Sequence, residues 1–188
     1  CEITTRLRVL MAMMLSPVLF AVPDTVSSGG ETFITLGDWG GMALGSYHST
    51  TVTKVAEQMA KTASDSSISF VINTGDNFYY CGIQNTSDYQ IDTDYTKPYA
   101  ASALDVPWYG VLGNHEYGYD VDAQIELTKT ATKPQWVIED RYWTKRLPLG
   151  GRLAPKAHAS FIFIDTSPCM SVYRSSDQSG WDPCSTLC

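Results

Sequence analysis

The chain has 188 residues, of which 44% are hydrophobic and 18% are charged, and its formal net charge is -7. This balance fits one globular domain with a full core, and it excludes a disordered or collagen-like chain. Because 20 acidic residues outnumber 13 basic ones, the surface would repel a phosphate backbone, and we expect no nucleic-acid partner.

An apolar run near the beginning of the chain indicates a secretory leader. Two arginines precede the run 9–22, which Pro17 interrupts and which is too short to span a bilayer comfortably. We therefore predict a signal peptide at residues 1–22, a turn-rich linker at 23–31 and the folded portion at 32–188, with no stable membrane span in the mature chain. A buried N-terminal helix is the alternative interpretation of the run.

The cysteines and one glycosylation sequon also favour export. Four cysteines lie beyond the predicted leader, and the sequence leaves their pairing open: Cys81, Cys169, Cys184 and Cys188. They form no C-x-x-C pair, so the pattern favours neither a zinc ribbon nor a thioredoxin-like redox site. The sequon that begins at Asn85 is usable only in a secretory compartment, so we predict glycosylation of Asn85 and passage through the secretory pathway.

Three apolar runs, rich in β-branched and aromatic residues, predict strands that each end in a glycine followed by Asp or Asn. The runs are 32–36, 68–74 and 106–112, and their exits are Gly37-Asp38, Gly75-Asp76 and Gly113-Asn114. An apolar stripe at helical spacing over 52–63 predicts a helix between the first two strands. A strand, a helix and a strand in this length form a βαβ unit, whose strands are parallel.

The rest of the chain predicts shorter elements. The segment 88–104 is predicted to be partly helical, and a helix is predicted near 122–132. Strand candidates at 141–147 and 159–165 are joined by a loop rich in Pro and Gly, which predicts a long hairpin connection. The fold class is therefore α/β.

The strand exits predict a metal site. The carboxyl ends of parallel strands meet at one rim, so Asp38, Asp76 and Asn114 should converge there. Without a nearby Lys or Arg, the two carboxylates repel each other unless a cation binds, and oxygen donors suit hard or borderline metals. Tyr79 lies three positions after Asp76, within reach of the same metal. His115 is open to three roles: a ligand, a proton donor or a plain loop residue.

Three motifs carry a family resemblance, and it spans residues 32–166. Together they resemble the first signature blocks of the calcineurin-like metallophosphoesterases: Gly37-Asp38-Trp39-Gly40-Gly41, Gly75-Asp76-Asn77-Phe78-Tyr79 and Gly113-Asn114-His115-Glu116. Tyr79 points to the purple acid phosphatases within that superfamily, and the first block looks most like the small tartrate-resistant type. The resemblance implies an αββα sandwich, which is incomplete in this chain and contains the first βαβ units and part of the second sheet.

The resemblance also implies an acid phosphatase with a dinuclear metal centre. Asp76 would bridge the metals, Asp38 and Tyr79 would hold Fe(III), and Asn114 would help to hold Fe(II), Zn or Mn. A metal-bound hydroxide would hydrolyse a phosphate monoester, with His115 stabilising charge or protonating the leaving alcohol. The implied substrate is a small phosphomonoester or a phosphoprotein, in a secreted or lysosome-like acidic setting. The oligomeric state and the exact substrate stay open.

The sequence also departs from the family. The later Gly-His and Gly-His-x-His blocks are absent, and no His follows Asp165, so four of the family's seven metal ligands are present. We expect the chain to be the N-terminal part of a longer enzyme, with little catalysis by these residues alone. Two alternatives are an inactive pseudo-phosphatase or binding module, and a phosphodiesterase of the same superfamily. Tyr79 argues against the phosphodiesterase.

Overall fold

The computed structural model describes residues 8–12, 31–40, 47–130, 133–148 and 157–170. Seven strands and two α-helices form this part of the chain: β1 (Arg8–Ala12), β2 (Thr32–Leu36), α1 (Tyr47–Ser66), β3 (Phe70–Asn73), β4 (Trp108–Gly110), α2 (Ala123–Thr128), β5 (Trp136–Val137), β6 (Tyr142–Pro148) and β7 (His158–Ile164). A π-helical segment, Ile91–Thr96, and short 3-10 turns complete the connections.

The first five strands form one parallel sheet in chain order. Ile34 of β2 pairs with Val71 of β3, and Ile72 pairs with Tyr109 of β4. The parallel βαβ arrangement predicted from the sequence is therefore present. Strand β2 matches the apolar run that predicted it, whereas β3 and β4 are shorter than theirs. The two-residue strand β5 was not predicted.

The N-terminal strand β1 pairs in parallel with β2, at Arg8 with Thr32 through to Ala12 with Leu36. Strand β1 lies inside the segment predicted as a leader. Residues 8–12 form a strand and not part of a buried helix, which was the alternative interpretation. Cleavage of the leader stays a prediction. The predicted linker up to residue 30, together with Cys184 and Cys188, lies outside the described residues.

Helix α1 covers one face of the sheet. Its buried residues recur at the predicted helical spacing and pack in one cluster with β2 and β3: Val52, Ala56, Met59, Ala63, Ile34, Leu36 and Val71. The helix ends at Ser66 because Ser67 has a left-handed φ of 50°. The N–H of Ile68 then donates to the carbonyl of Ala63 at 3.4 Å, a bond typical of a helix C-cap.

The hairpin of β6 and β7 covers the other face. It is antiparallel, as predicted, and Trp143 pairs with Phe163 in register. These two rings stack at 4.2 Å between centroids, and they share a buried cluster with Phe33, Phe70 and Tyr109 of the parallel sheet. Because side chains alternate along a strand, β2, β3, β4 and β5 each contribute to both cores.

The outward face of the hairpin is apolar in part. Tyr142 is 57% exposed, Ile162 is 69% exposed and Ile164 is 53% exposed. Within the described residues, no helix combines the length and apolar character needed to cross a bilayer.

The packing of the hairpin on the parallel sheet predicts that Trp143 and Tyr142, which are neighbours in β6, contribute very differently to the free energy of unfolding. Trp143→Ala should lower the free energy of unfolding by about 3–5 kcal/mol, since it removes a buried ring whose Nε1 also donates to the Gly110 carbonyl at 3.2 Å. Tyr142→Ala, on the exposed face, should cost less than about 1 kcal/mol. Denaturant unfolding of the full-length protein measures both values. Equal losses in the two variants would contradict the packing of this hairpin on the sheet.

Candidate metal centre

The ends of β2, β3 and β4 surround one cavity of about 290 Å³. Asp38, Asp76 and Asn114 line it from the parallel sheet, and Thr166 and Ser167 line it from the segment after β7. The convergence expected from the strand ends is therefore observed. The cavity lies at the strand ends, between the parallel sheet and the segment that follows β7.

Tyr79 joins the two aspartates directly. Its hydroxyl donates a hydrogen bond to Asp38 Oδ1 at 2.5 Å, and it lies 3.4 Å from Asp76 Oδ2. Burial first, and then the hydrogen bond to Asp38 and the charge of Asp76, raise the pKa of the Tyr79 phenol far above its ordinary value. The phenol proton thus lies between acidic oxygens, at a position where a cation would also offset their repulsion.

The backbone at both aspartates has an unusual conformation. Asp38 has a φ of 54° and Asp76 a φ of 51°, in the left-handed region that few residues other than glycine adopt. The loops also approach each other closely, because a Cβ on Gly113 would overlap with the carboxylate of Asp76. Strained backbone of this kind clusters at functional sites, where the surrounding structure maintains it.

His115 lies beside Tyr79 and does not line the cavity. Its ring centroid is 4.4 Å from that of Tyr79, and its Nδ1 is 2.7 Å from the carbonyl oxygen of Tyr80. Its backbone N–H donates to Asp76 Oδ1 at 3.2 Å. Since a carbonyl only accepts hydrogen bonds, Nδ1 carries a proton, and a second proton on the ring would be carried by Nε2.

A buried carboxylate that the sequence analysis did not single out ties the site's loops together. Glu116 is fully buried. Its Oε1 accepts the N–H groups of Asn77 at 2.7 Å and Phe78 at 3.3 Å. Its Oε2 accepts those of Gly113 at 2.6 Å and Asp76 at 3.1 Å. One side chain therefore links the loop after β3 to the loop after β4.

The environment of Glu116 opposes ionisation in part. Burial first, and then the charge of Asp76, raise the pKa of Glu116 to about 7, whereas the bonds from backbone N–H groups lower it. The ionised form is the one that four N–H donors satisfy, since a protonated oxygen would present a further donor. No spacing pattern marks this role, and only its place in the third motif pointed to the residue.

Two neighbouring residues of the motifs support the same loops. Trp39 is buried, and its Nε1 donates to Asn73 Oδ1 at 2.9 Å. Asn77 Nδ2 donates to Gln124 Oε1 at 2.8 Å, which ties the loop after β3 to helix α2. The residues that follow Asp38 and Asp76 in the motifs therefore position the loops from inside the core.

Two predictions about export concern residues near the site. Cys81 is disulfide-bonded, whereas Cys169 is a free and exposed thiol. Asn85 is exposed in a turn, where its Oδ1 accepts the N–H of Ser87 at 2.8 Å. An exposed Asn is accessible to modification, and its glycosylation stays a prediction.

The donor set fits a hard cation. Within the described ranges, no three His, Cys, Asp or Glu side chains gather into a group that could hold a metal ion. The donors are instead two carboxylates, a phenol and an amide, and no Lys or Arg is among the described residues that line the cavity. Oxygen donors with net negative charge suit hard cations, so the residues present are compatible with part of a metal site.

The parallel sheet, its acidic strand ends and the second sheet together define a metallophosphoesterase domain. Residues 32–166 match the family model of the calcineurin-like phosphoesterases, and the chain belongs to that family. The α/β class and the partial sandwich predicted from the sequence are thereby confirmed.

Similar curated proteins are acid phosphatases. Purple acid phosphatase 4 of Arabidopsis thaliana is 30% identical over 181 residues, covering 94% of this chain and 49% of that protein. Purple acid phosphatase 3 of the same plant is 34% identical, covering 78% of this chain and 36% of that protein. Tartrate-resistant acid phosphatase type 5 of Mus musculus is 30% identical, covering 62% of this chain and 36% of that protein. The chain spans half or less of the length of these relatives.

A solved structure shares the fold. GAP50, the anchor in the inner membrane complex of Plasmodium, matches with a TM-score of 0.61 and 22% identity, covering 74% of this chain and 43% of that one. At this identity the likeness concerns the fold alone.

The hydrogen bonds of Glu116 predict that its substitution lowers the free energy of unfolding measurably. Glu116→Gln should lower the free energy of unfolding by about 1–3 kcal/mol, because the amide nitrogen would face backbone N–H donors and leave them without an acceptor. Glu126→Gln, at an exposed position of α2, should change it by less than about 0.5 kcal/mol. Urea denaturation of the full-length protein provides the comparison. A Glu116→Gln protein as stable as the Glu126→Gln protein would show that these bonds contribute nothing.

Proposed function

We propose that the protein carrying this chain is an acid phosphatase that hydrolyses phosphate monoesters at a dinuclear metal centre. The main support is the contact of Asp38, Tyr79 and Asp76 at the edge of a cavity whose described lining contains no basic residue. The similarity to purple and tartrate-resistant acid phosphatases agrees with this proposal. The complete activity belongs to the whole protein, which would supply the remaining ligands.

Each candidate residue has a role in this proposal. Asp76 would bridge the two metal ions, Asp38 and Tyr79 would hold a ferric ion, and Asn114 would contribute to a position for Fe(II), Zn or Mn. When bound, the metal ions would lower the pKa of a water molecule and offset the charge of the phosphate. His115 with a proton on both ring nitrogens would stabilise charge or deliver its Nε2 proton to the leaving alcohol, while its Nδ1 proton stays bonded to the Tyr80 carbonyl.

The substrate and the setting follow from the same proposal. A phosphate monoester, either a small molecule or a phosphoprotein, would enter the cavity at the strand ends. The apolar run at 9–22 and the exposed sequon at Asn85 support a glycoprotein in the secretory pathway, secreted or held in an acidic compartment. Activity at acid pH is compatible with metal ions that activate water well below its ordinary pKa.

A second candidate function is a binding module without catalysis. The described residues supply Asp38, Asp76, Tyr79 and Asn114 as candidate ligands, which are four of the seven that the family resemblance implies. A phosphodiesterase of the same superfamily is a third reading, and the position of Tyr79 beside both aspartates favours the purple acid phosphatase type instead.

The first test measures activity and metal content together. The full-length protein should hydrolyse p-nitrophenyl phosphate at acid pH and contain about two metal ions per chain. Asp76→Ala should lose metal and reduce kcat/KM by more than about 100-fold, because changes to outer partners of metal ligands alone cost about 10–100-fold.

The matched control is Asp65→Ala. Asp65 is exposed on α1 and pairs only with Lys61 among the ion pairs of the described residues, so its removal should change neither quantity. A wild-type protein that binds no metal and hydrolyses no monoester would contradict the enzyme and favour the binding module.

The second test is spectroscopic. Ligation of a ferric ion by Tyr79 would produce a visible charge-transfer band in the full-length protein, and Tyr79→Phe should abolish it because phenylalanine has no donor oxygen. Tyr89→Phe, at a position that is 65% exposed, should leave the band intact. A band of unchanged position and intensity in Tyr79→Phe would exclude Tyr79 as the ligand.

A further inference from the structure

Tyr117 connects the loop after β4 to the end of β7. It is the last residue of the 3-10 turn that begins at His115, and its hydroxyl donates to Asp165 Oδ2 at 2.5 Å. Asp165 follows β7 directly, so it belongs to the second sheet rather than to the parallel one. This hydrogen bond therefore crosses between the two layers of the fold, beside the candidate metal centre.

Asp165 is a buried acidic residue that forms hydrogen bonds with Tyr117, Ser167 and the backbone of Arg141. Its side chain is fully buried, and its Oδ1 accepts the N–H of Ser167 at 2.9 Å. Its backbone N–H donates to the carbonyl of Arg141 at 2.9 Å. Burial of a carboxylate is unfavourable unless hydrogen bonds and a nearby positive charge compensate for it. The Tyr117 hydroxyl satisfies one of its two oxygens.

Arg141 supplies the positive charge of this cluster. Its Nη1 donates to the Tyr117 hydroxyl at 2.5 Å and lies 3.8 Å from Asp165 Oδ2. Its Nη2 donates to Asp122 Oδ1 at 2.6 Å, which fixes the plane of the guanidinium. Burial first, and then the hydrogen bond with Asp165, raise the pKa of Tyr117, so its hydroxyl stays a proton donor.

Both ends of the cluster reach the cavity. Thr166 and Ser167, which follow Asp165, line it from the second sheet. Asn114, which precedes the turn ending at Tyr117, lines it from the parallel sheet. The bond between Tyr117 and Asp165 therefore joins the backbones of two walls that a ligand in the cavity would contact together.

We propose that Tyr117 is a positioning residue that, through Asp165 and Arg141, fixes the spacing of the two cavity walls and thereby the placement of a bound phosphate group. This inference rests on the proposed phosphatase function and deepens it. Tyr117 lies outside the proposed metal ligands, so its effect should be on phosphate and not on metal.

The experiment uses the full-length protein with Tyr117→Phe, which removes one hydroxyl and keeps the ring. Inorganic phosphate binding, measured by calorimetry, should weaken about tenfold, and kcat/KM for p-nitrophenyl phosphate should fall by a similar factor, because small misplacements of bound groups have effects of this size or larger. Metal content and the visible band should match the wild type. Arg141→Lys should reproduce the effect, since a single ammonium cannot bond Tyr117 and Asp122 with the same geometry.

Tyr119→Phe is the matched control, because Tyr119 is 43% exposed two residues further on. It should leave phosphate binding and kcat/KM unchanged. Phosphate affinity of Tyr117→Phe equal to that of the wild type, under conditions where both are folded, would overturn the inference and leave a structural role only. A wild type that binds phosphate without hydrolysing it would contradict the phosphatase alone, and weaker binding by Tyr117→Phe would still support the positioning role.

Discussion

The candidate site depends on holding two like charges close together. Asp38 and Asp76 both contact the hydroxyl of Tyr79, and their mutual repulsion opposes that arrangement. Backbone hydrogen bonds hold the two residues in place. Glu116 accepts N–H groups from the loops after β3 and β4, including that of Asp76, and the N–H of Asp38 donates to the carbonyl of Gly75 at 3.2 Å. A third carboxylate beside two acids is stable here because four N–H dipoles point at it.

Packing on both faces of the parallel sheet gives these loops a rigid base. Phe33 and Phe70 stack at 4.8 Å on the face towards the hairpin, while Ile34 and Val71 face helix α1. A strand buried on both sides cannot shift its register by one residue without exchanging the two faces. The positions at which β2 and β3 end are therefore fixed by the cores, and the acidic residues follow those ends.

Strands and strand ends could be predicted from the local periodicity of the sequence. Contacts between residues that are far apart in the chain could not. Parallel strands must end at one rim, so the convergence of Asp38, Asp76 and Asn114 followed from spacing alone. The strand β4 begins only at Trp108, since Pro107 has no N–H to pair. Glu116 and Tyr117 were not predicted as site residues, because Asp76 and Asp165 lie 40 and 48 residues away from them in the chain and no periodic pattern records such contacts.

Because the two sheets supply different walls of the cavity, we expect its geometry to depend also on residues that touch neither metal nor substrate. The parallel sheet supplies the charged and amide oxygens, whereas the segment after β7 supplies Thr166 and Ser167 on the other side. The aromatic core between the sheets resists separation but is indifferent to small sliding, since apolar contacts have little directionality. A hydrogen bond with a charged partner is directional. The bond between Tyr117 and Asp165 therefore restricts the small sliding of the two sheets that the apolar core permits. The geometry of the site is therefore set by the contact of Tyr117 with Asp165 between the layers as well as by the ligands themselves.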